Sequence, residues 1–486
     1  MRLDHQKAGV RTRLTQSAVL IVAALGLSAC ASMSGIQAQA TLRDAASLGL
    51  PVEPGVSVTL DAQWWREFGD EQLNRLVEQA LATSPSLRIV QARMARAQAG
   101  VDVTDAASGP QLNAGIDATR QLFTANGLIP PPLAGKIYET GTAQFSGSWE
   151  LDFFGKNRAA LDAALGNARA TQADADAARM LLASHVVRSY VQLVRLNEQL
   201  AVAQRLLAQR QQALHLVQDR VNAGLDTRLE LRQSEGTLPD ARLQIETLQE
   251  QLTLARNALS ALVGQPNRAV APDLPTLSAI KNIANAATLP SDLLGRRADI
   301  AAARWRVEAA TQDVSSARSQ FYPNINLVAF AGFSSIGLDR LLGAGSEQWG
   351  VGPALHLPLF DGGRLRANLR GKAAELDAAI ESYNATVIDA VREAADQLAS
   401  TQAIGRQQVE QRAAQSFAEN AYDIAVQRYE AGLGNYLQVL TSETTVLSQR
   451  RQGVDLAARA LDTQVALIRA LGGGYRAELP AATAQK

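Results

Sequence analysis

AQFSGSWELDF, residues 143–153, alternates along its whole length. Ala143, Phe145, Trp149, Leu151 and Phe153 share one face of an extended chain, and Gln144, Ser146, Ser148, Glu150 and Asp152 share the other. Successive side chains of a strand point to opposite faces, so the segment reads as a strand with one apolar and one polar side. Its length suffices for a tilted strand to cross a bilayer. Gly155 and Lys156 follow, and from Lys156 to about Asn222 there is no proline, a helix on the order of 100 Å long. The chain makes this strand-to-helix join twice.

Working outward, Leu112, Ala114, Ile116 and Ala118 form an earlier strand, separated from the first by a proline-rich loop, FTANGLIPPPLAGKI, residues 123–137. The second half of the long helix carries a heptad seam: Leu193, Leu196, Leu200, Ala203, Leu207, Leu214, Val217 and Val221, interrupted only by Arg210. Asn222 to Asp226 makes a turn with Gly224 as C-cap, and Asp226 or Thr227 caps a return helix that runs to about Val263, with Gly236 and Pro239 expected to bend it. Gly166 is the one weak point expected in the long helix.

The scheme then restarts. Ile325, Leu327, Ala329, Ala331 and Phe333 make a third strand, and Val351, Leu355, Leu357 and Leu359 a fourth. Arg364 to Tyr429 is a second proline-free helix, Glu430 to Asn435 a second turn, and Tyr436 to Leu471 a second return with Leu440, Leu447, Val454, Leu461 and Ile468 at sevenfold spacing. Ala223-Gly224-Leu225 matches Ala431-Gly432-Leu433, and Phe154–Arg158 matches Phe360–Arg364. The ordered recurrence is an internal repeat of a little over 200 residues. The expected division is a signal at 1–29, a tether at 30–60, a first repeat at 61–264, a linker at 265–291, a second repeat at 292–473 and a tail at 474–486. Strands are expected near 110–122, 138–153, 323–334 and 347–360, and helical hairpins at 156–263 and 364–471.

Composition agrees with long helices. Hydrophobic residues reach 47% while aromatics are 5%, so alanine and leucine carry the apolar content. Forty-seven basic residues balance 47 acidic ones, which leaves no charge excess for nucleic acid. Arg2, Lys7, Arg11 and Arg13, then an apolar run to Leu27, describe a secretory signal. Leu27-Ser28-Ala29-Cys30 resembles a bacterial lipobox, and Cys30 is the only cysteine, so Cys30 is expected to carry a covalent lipid. Past the signal, His185, His215 and His356 are scattered, with no metal-ligand spacing, phosphate loop or nucleophile motif; neither an enzyme nor a cofactor is expected.

Four strands per chain cannot close a barrel, and open edges are not tolerated in lipid. The barrel must therefore close between subunits, with the polar faces (Ser146, Ser148, Glu150, Asp152) on a lumen and Phe145, Trp149 and Phe153 toward lipid.

On these features the chain resembles the TolC-like outer membrane factors, in the lipoprotein branch of efflux channels, over roughly residues 61–475. The motifs are Trp64-Trp65 with Phe68 and Leu73; Leu293-Leu294 with Arg296-Arg297 and Asp299-Ile300; Phe321-Tyr322-Pro323; Phe360-Asp361-Gly362-Gly363; and Arg428-Tyr429 with Gly432-Leu433. The resemblance implies an α+β membrane protein: a homotrimer whose twelve-stranded transmembrane β-barrel continues into a periplasmic α-helical coiled-coil barrel in a Gram-negative outer membrane. It also implies an exit duct for small molecules, working with a periplasmic adaptor and a proton-driven inner-membrane pump. A duct for protein secretion is the alternative, and a periplasmic coiled-coil adaptor a lesser one. The family's tip and docking positions fall here on Arg220, Gly224, Leu225 and Asp226, and on Arg428, Gly432, Leu433 and Gly434. Its aperture falls on Glu230, Tyr429, Gln438 and Thr441; Gln438 and Thr441 depart from the acidic residues of well-known members. Tyr429 and Arg428 are expected as alternative inter-helix links holding the tip shut.

Overall fold

A computed structural model describes residues 33–43, 61–265, 273–283 and 295–475. The expected signal, Cys30, the Leu293-Leu294 motif, and parts of the tether, linker and tail lie outside these residues. The main elements are α1 (Glu71–Thr83), α2 (Pro85–Ser108), β1 (Gln111–Leu122), β2 (Ile137–Leu151), α3 (Lys156–Asn222), α4 (Arg228–Leu262), α5 (Ala298–Ser319), β3 (Asn324–Ile336), β4 (Glu347–His356), α6 (Arg364–Glu430) and α7 (Tyr436–Ala470). The two long helices have 67 residues each and the two return helices 35 each. No helix among the described residues is long and apolar enough to cross a membrane.

The chain divides into two compact units, and each draws on both halves of the sequence. The first unit holds the sheet, an antiparallel meander in the order β1-β2-β3-β4. Its register puts Ile116 opposite Ala143 and Ala143 opposite Phe333; Trp149 faces Leu327, and Leu327 faces Pro353. Partners across a ladder share a face, so one apolar surface runs over all four strands. That surface is uncovered within the chain: Ile116 is 81% exposed, Trp349 78% and Leu355 68%. The opposite face carries Thr142 bonded to Ser334 and Gln348 bonded to Gln144. Phe330 also lies on that face, its ring held against Gly350, where an added Cβ would come within 2.7 Å of it.

Two strands stop short of expectation. β2 ends at Leu151, so Asp152 and Phe153 are not strand residues. The Asp152 carboxylate accepts the Arg158 amide at 2.8 Å, and Gly155 takes a left-handed φ of 75°, so the chain turns into α3 instead of continuing the ladder. β4 ends at His356; Pro358 has no N–H to extend it, and Asp361 accepts the Gly363 and Leu365 amides to open α6. α3 runs unbroken through Gly166. That glycine is where α5 comes close to α3, since a Cβ there would stand 3.0 Å from the Ala309 Cβ.

The second unit is built on a core of Trp64, Phe68, Leu73 and Val77 against Tyr190, Leu193, Leu259 and Ile468. Asp70 fastens it twice, capping α1 through the Gln72 and Leu73 amides and accepting the Tyr190 hydroxyl at 2.6 Å. α4 continues through Gly236 and Pro239 to Leu262. Beyond α7, Gly472 is left-handed and a Cβ would fall 1.9 Å from the Arg296 carbonyl oxygen, so only glycine fits.

Candidate functional site

Two turns in the second unit carry most of the sequence-predicted site. Each ends a long helix in the same way. Gly224 and Gly432 both take a φ of 73°; the Leu225 amide donates to the Arg220 carbonyl, and the Leu433 amide to the Arg428 carbonyl, each at 2.8 Å. A six-residue back-bond closed by a left-handed glycine is a Schellman C-cap. Thr227 then caps α4 and Asn435 caps α7, the latter accepting the Gln438 amide at 3.0 Å. The caps push one leucine out of each turn and another one helical turn later. Leu225, Leu229, Leu433 and Leu437 are 65%, 62%, 70% and 61% exposed.

The structure brings Arg220, Asp226 and Tyr429 together. Arg220 Nε donates to Asp226 Oδ2 at 2.9 Å, the Tyr429 hydroxyl donates to the same oxygen, and the Arg220 guanidinium lies 4.6 Å from the Tyr429 ring centroid. The cluster ties the first turn to the end of α6. Burial pushes the Asp226 carboxyl up, but the bonds from Arg220 and Tyr429 outweigh it and its pKa lies below the usual value. Burial and the bond to Asp226 raise the Tyr429 phenol, which stays protonated as the donor. Tyr429 packs with Tyr436, Val217 and Val439.

The remaining expected tip and aperture residues make local contacts within the chain. The Arg428 guanidinium donates to the Leu433 carbonyl of its own turn at 3.2 Å. Glu230 closes a capping box, accepting the Thr227 amide at 2.9 Å and the Thr227 hydroxyl, and those bonds lower its pKa. Thr441 bonds back to the Leu437 carbonyl of its own helix. Gly434 sits against Gln438 and Arg428. Cys30 lies outside the described residues, and among those residues no cluster could hold a metal ion.

Sequence reasoning missed Glu443. It is 6% exposed within a buried stripe of α7, Tyr436, Val439, Glu443 and Val446, and Arg210 donates to it at 3.0 Å. The available signal was one-sided: Arg210 interrupts the α3 seam, while Glu443 lies off the sevenfold seam of α7 read from the sequence.

The sequence model of the outer membrane efflux protein family matches residues 76–265 and 289–473. Among curated proteins, the chain is 32% identical over 428 residues to the multidrug resistance outer membrane protein MdtQ of Escherichia coli, covering 86% of this chain and 88% of that protein. It is 36% identical to the fusaric acid resistance protein FusA of Burkholderia cepacia, over 74% of this chain and 69% of that one. Among solved structures, the outer membrane protein VceC of Vibrio cholerae superposes with a TM-score of 0.80 at 36% identity, covering 85% of this chain and 99% of that one.

Proposed function

The chain belongs to the outer membrane efflux protein family, and from that premise we propose that it is the exit duct of a tripartite pump moving small toxic compounds out of the cell. Its place is the outer membrane. The observation that carries the reading is the sheet: one apolar face exposed across four strands, with β1 and β4 as open edges within the chain. A sheet of that kind is stable in a bilayer only when its edges are closed by copies of itself. Three copies would give a twelve-stranded barrel. The equal lengths of the helix pairs and the two separate matches to the family model support a duplicated architecture, two helical hairpins per subunit forming a periplasmic tunnel.

In this reading Cys30 carries the lipid anchor and the duct itself performs no chemistry. Leu225, Leu229, Leu433 and Leu437 meet a periplasmic adaptor, and an inner-membrane pump, proton-driven by our reading, supplies the energy. The Arg220–Asp226–Tyr429 cluster holds the resting tip closed. Glu230, Gln438 and Thr441 stand near the aperture, where Glu230 supplies negative charge while also serving its cap.

The test is photo-crosslinking from Leu433 in intact cells, with the captured protein identified by mass spectrometry. Capture of the adaptor of a small-molecule efflux pump is the expected result. Capture of an ATP-driven secretion adaptor would reassign the duct to protein export, and capture of neither would remove the tip as the docking surface.

A further inference from the structure

Behind the tip, a second polar contact joins three helices through one side chain. Arg210 on α3 donates from Nε to Glu443 on α7 at 3.0 Å and from an Nη to the Thr237 carbonyl on α4 at 2.8 Å. Arg210 and Glu443 retain only 13% and 7% of their side-chain exposure. Arg210 stands twelve residues before the end of α3, roughly 18 Å along the helix from the turn. The Thr237 carbonyl it uses lies one residue after Gly236 and two before Pro239, in the stretch of α4 that holds both of its weak helix formers.

An ion pair so placed is a poor source of stability. Desolvating both charges offsets most of their attraction, and burial raises the Glu443 carboxyl despite Arg210 beside it. What a buried polar pair supplies in a helical seam is register, because any slide of one helix against another strands a charge. The route to the tip runs along α7: Tyr436 lies seven residues before Glu443 on the same buried stripe, and its ring centroid is 5.7 Å from that of Tyr429 on α6.

We propose that the Arg210–Glu443 pair is a register pin that holds the return helix of the second hairpin against the first hairpin and so sets the closed position of the tip. These are positioning residues. They act through Tyr436 and Tyr429 and touch no cargo. The assignment rests on the reading of the tip as a closable aperture, and it adds a second, internal determinant of closure beyond the tip cluster.

The experiment compares the full-length protein with Arg210→Met/Glu443→Leu, Glu443→Asp and Tyr429→Phe, recording resting conductance in planar bilayers and thermal stability of each. An apolar pair of similar volume should leave the melting temperature near that of the parent, since such exchanges are commonly neutral or stabilising. Its resting open fraction should nevertheless rise roughly tenfold, because the helices lose their register. Glu443→Asp, which retains the charge but withdraws the carboxylate by one methylene, should give a smaller rise in the same direction; it alone decides the matter if the double variant does not assemble. Parental conductance in Glu443→Asp and the double variant, with a raised value in Tyr429→Phe, would overturn the pin and leave the tip reading intact. Parental conductance in all three would overturn both.

Discussion

Asp226 is the residue on which the tip converges, and its protonation gives the cluster a definite pH dependence. A carboxyl whose folded pKa is depressed contributes stability that is complete above its unfolded pKa and disappears as the pH falls through the folded value. The Asp226 shift is downward, so the closing contribution should be constant from neutral pH down to the ordinary carboxylate range near roughly 4, and fail only below it. Resting conductance of Arg210→Met/Glu443→Leu, in which the raised Glu443 carboxyl no longer titrates, should therefore be flat against pH and then rise in acid, and adding Asp226→Asn should remove the acid limb. A midpoint above the ordinary carboxylate value in that background would contradict the depressed pKa of Asp226. Tyr429→Phe removes one bond to a charged acceptor, a loss of about 1.5–3 kcal/mol, and should raise resting conductance wherever Asp226 is ionised, neutral pH included.

At the scale of elements, the N-terminal strap shows how much the long helices organise by side-chain capture. One Asp377 oxygen on α6 accepts the amides of Gln39 at 2.7 Å and Ala40 at 2.8 Å, Asn384 on the same helix accepts the Arg43 amide at 3.0 Å, and Ile36 is buried. Asp377→Ala should release this strap and increase tryptic cleavage after Arg43 by about tenfold, while Asp377→Asn, which keeps an acceptor, should restore resistance. Equal cleavage in all three proteins would mean the strap is held elsewhere. Such contacts mark where sequence reading stops. The helix turns were legible because a glycine C-cap and a Thr or Asn N-cap are local chemistry at Gly224, Thr227, Gly432 and Asn435. The strand faces were legible because alternation has a period of two. The ends of β2 and β4 were not, because Asp152 and Asp361 are ordinary polar residues until they are seen accepting helix amides. Nor was the role of Gly166, whose missing side chain has meaning only against Ala309. Arg210 and Glu443 are 233 residues apart, and only folding brings the seam defect and the glutamate into one contact.

For the whole molecule the decisive issue is which side of the sheet meets lipid. Ile116 and Asp117 are neighbours near the middle of β1, and their partners Ala143 and Thr142 continue the apolar and polar faces respectively. If the apolar face lies in the bilayer, Ile116→Arg places a guanidinium in hydrocarbon, at a cost of about 2–4 kcal/mol near the midplane. Asp117→Arg places the same group one residue away on the lumen side, where water is available, and should cost little. The comparison controls for strand propensity and for side-chain size, because the introduced residue is the same. The expected result is a marked fall in membrane-assembled oligomer for Ile116→Arg and near-parental assembly for Asp117→Arg, read by native mass spectrometry of detergent-extracted protein. The same spectra report subunit number, and the parent should appear as three copies, since β1 and β4 are open edges that must find each other between chains. Equal tolerance of both substitutions would place neither face in lipid, and a monomeric parent would leave the edges without the partner that a bilayer requires of them.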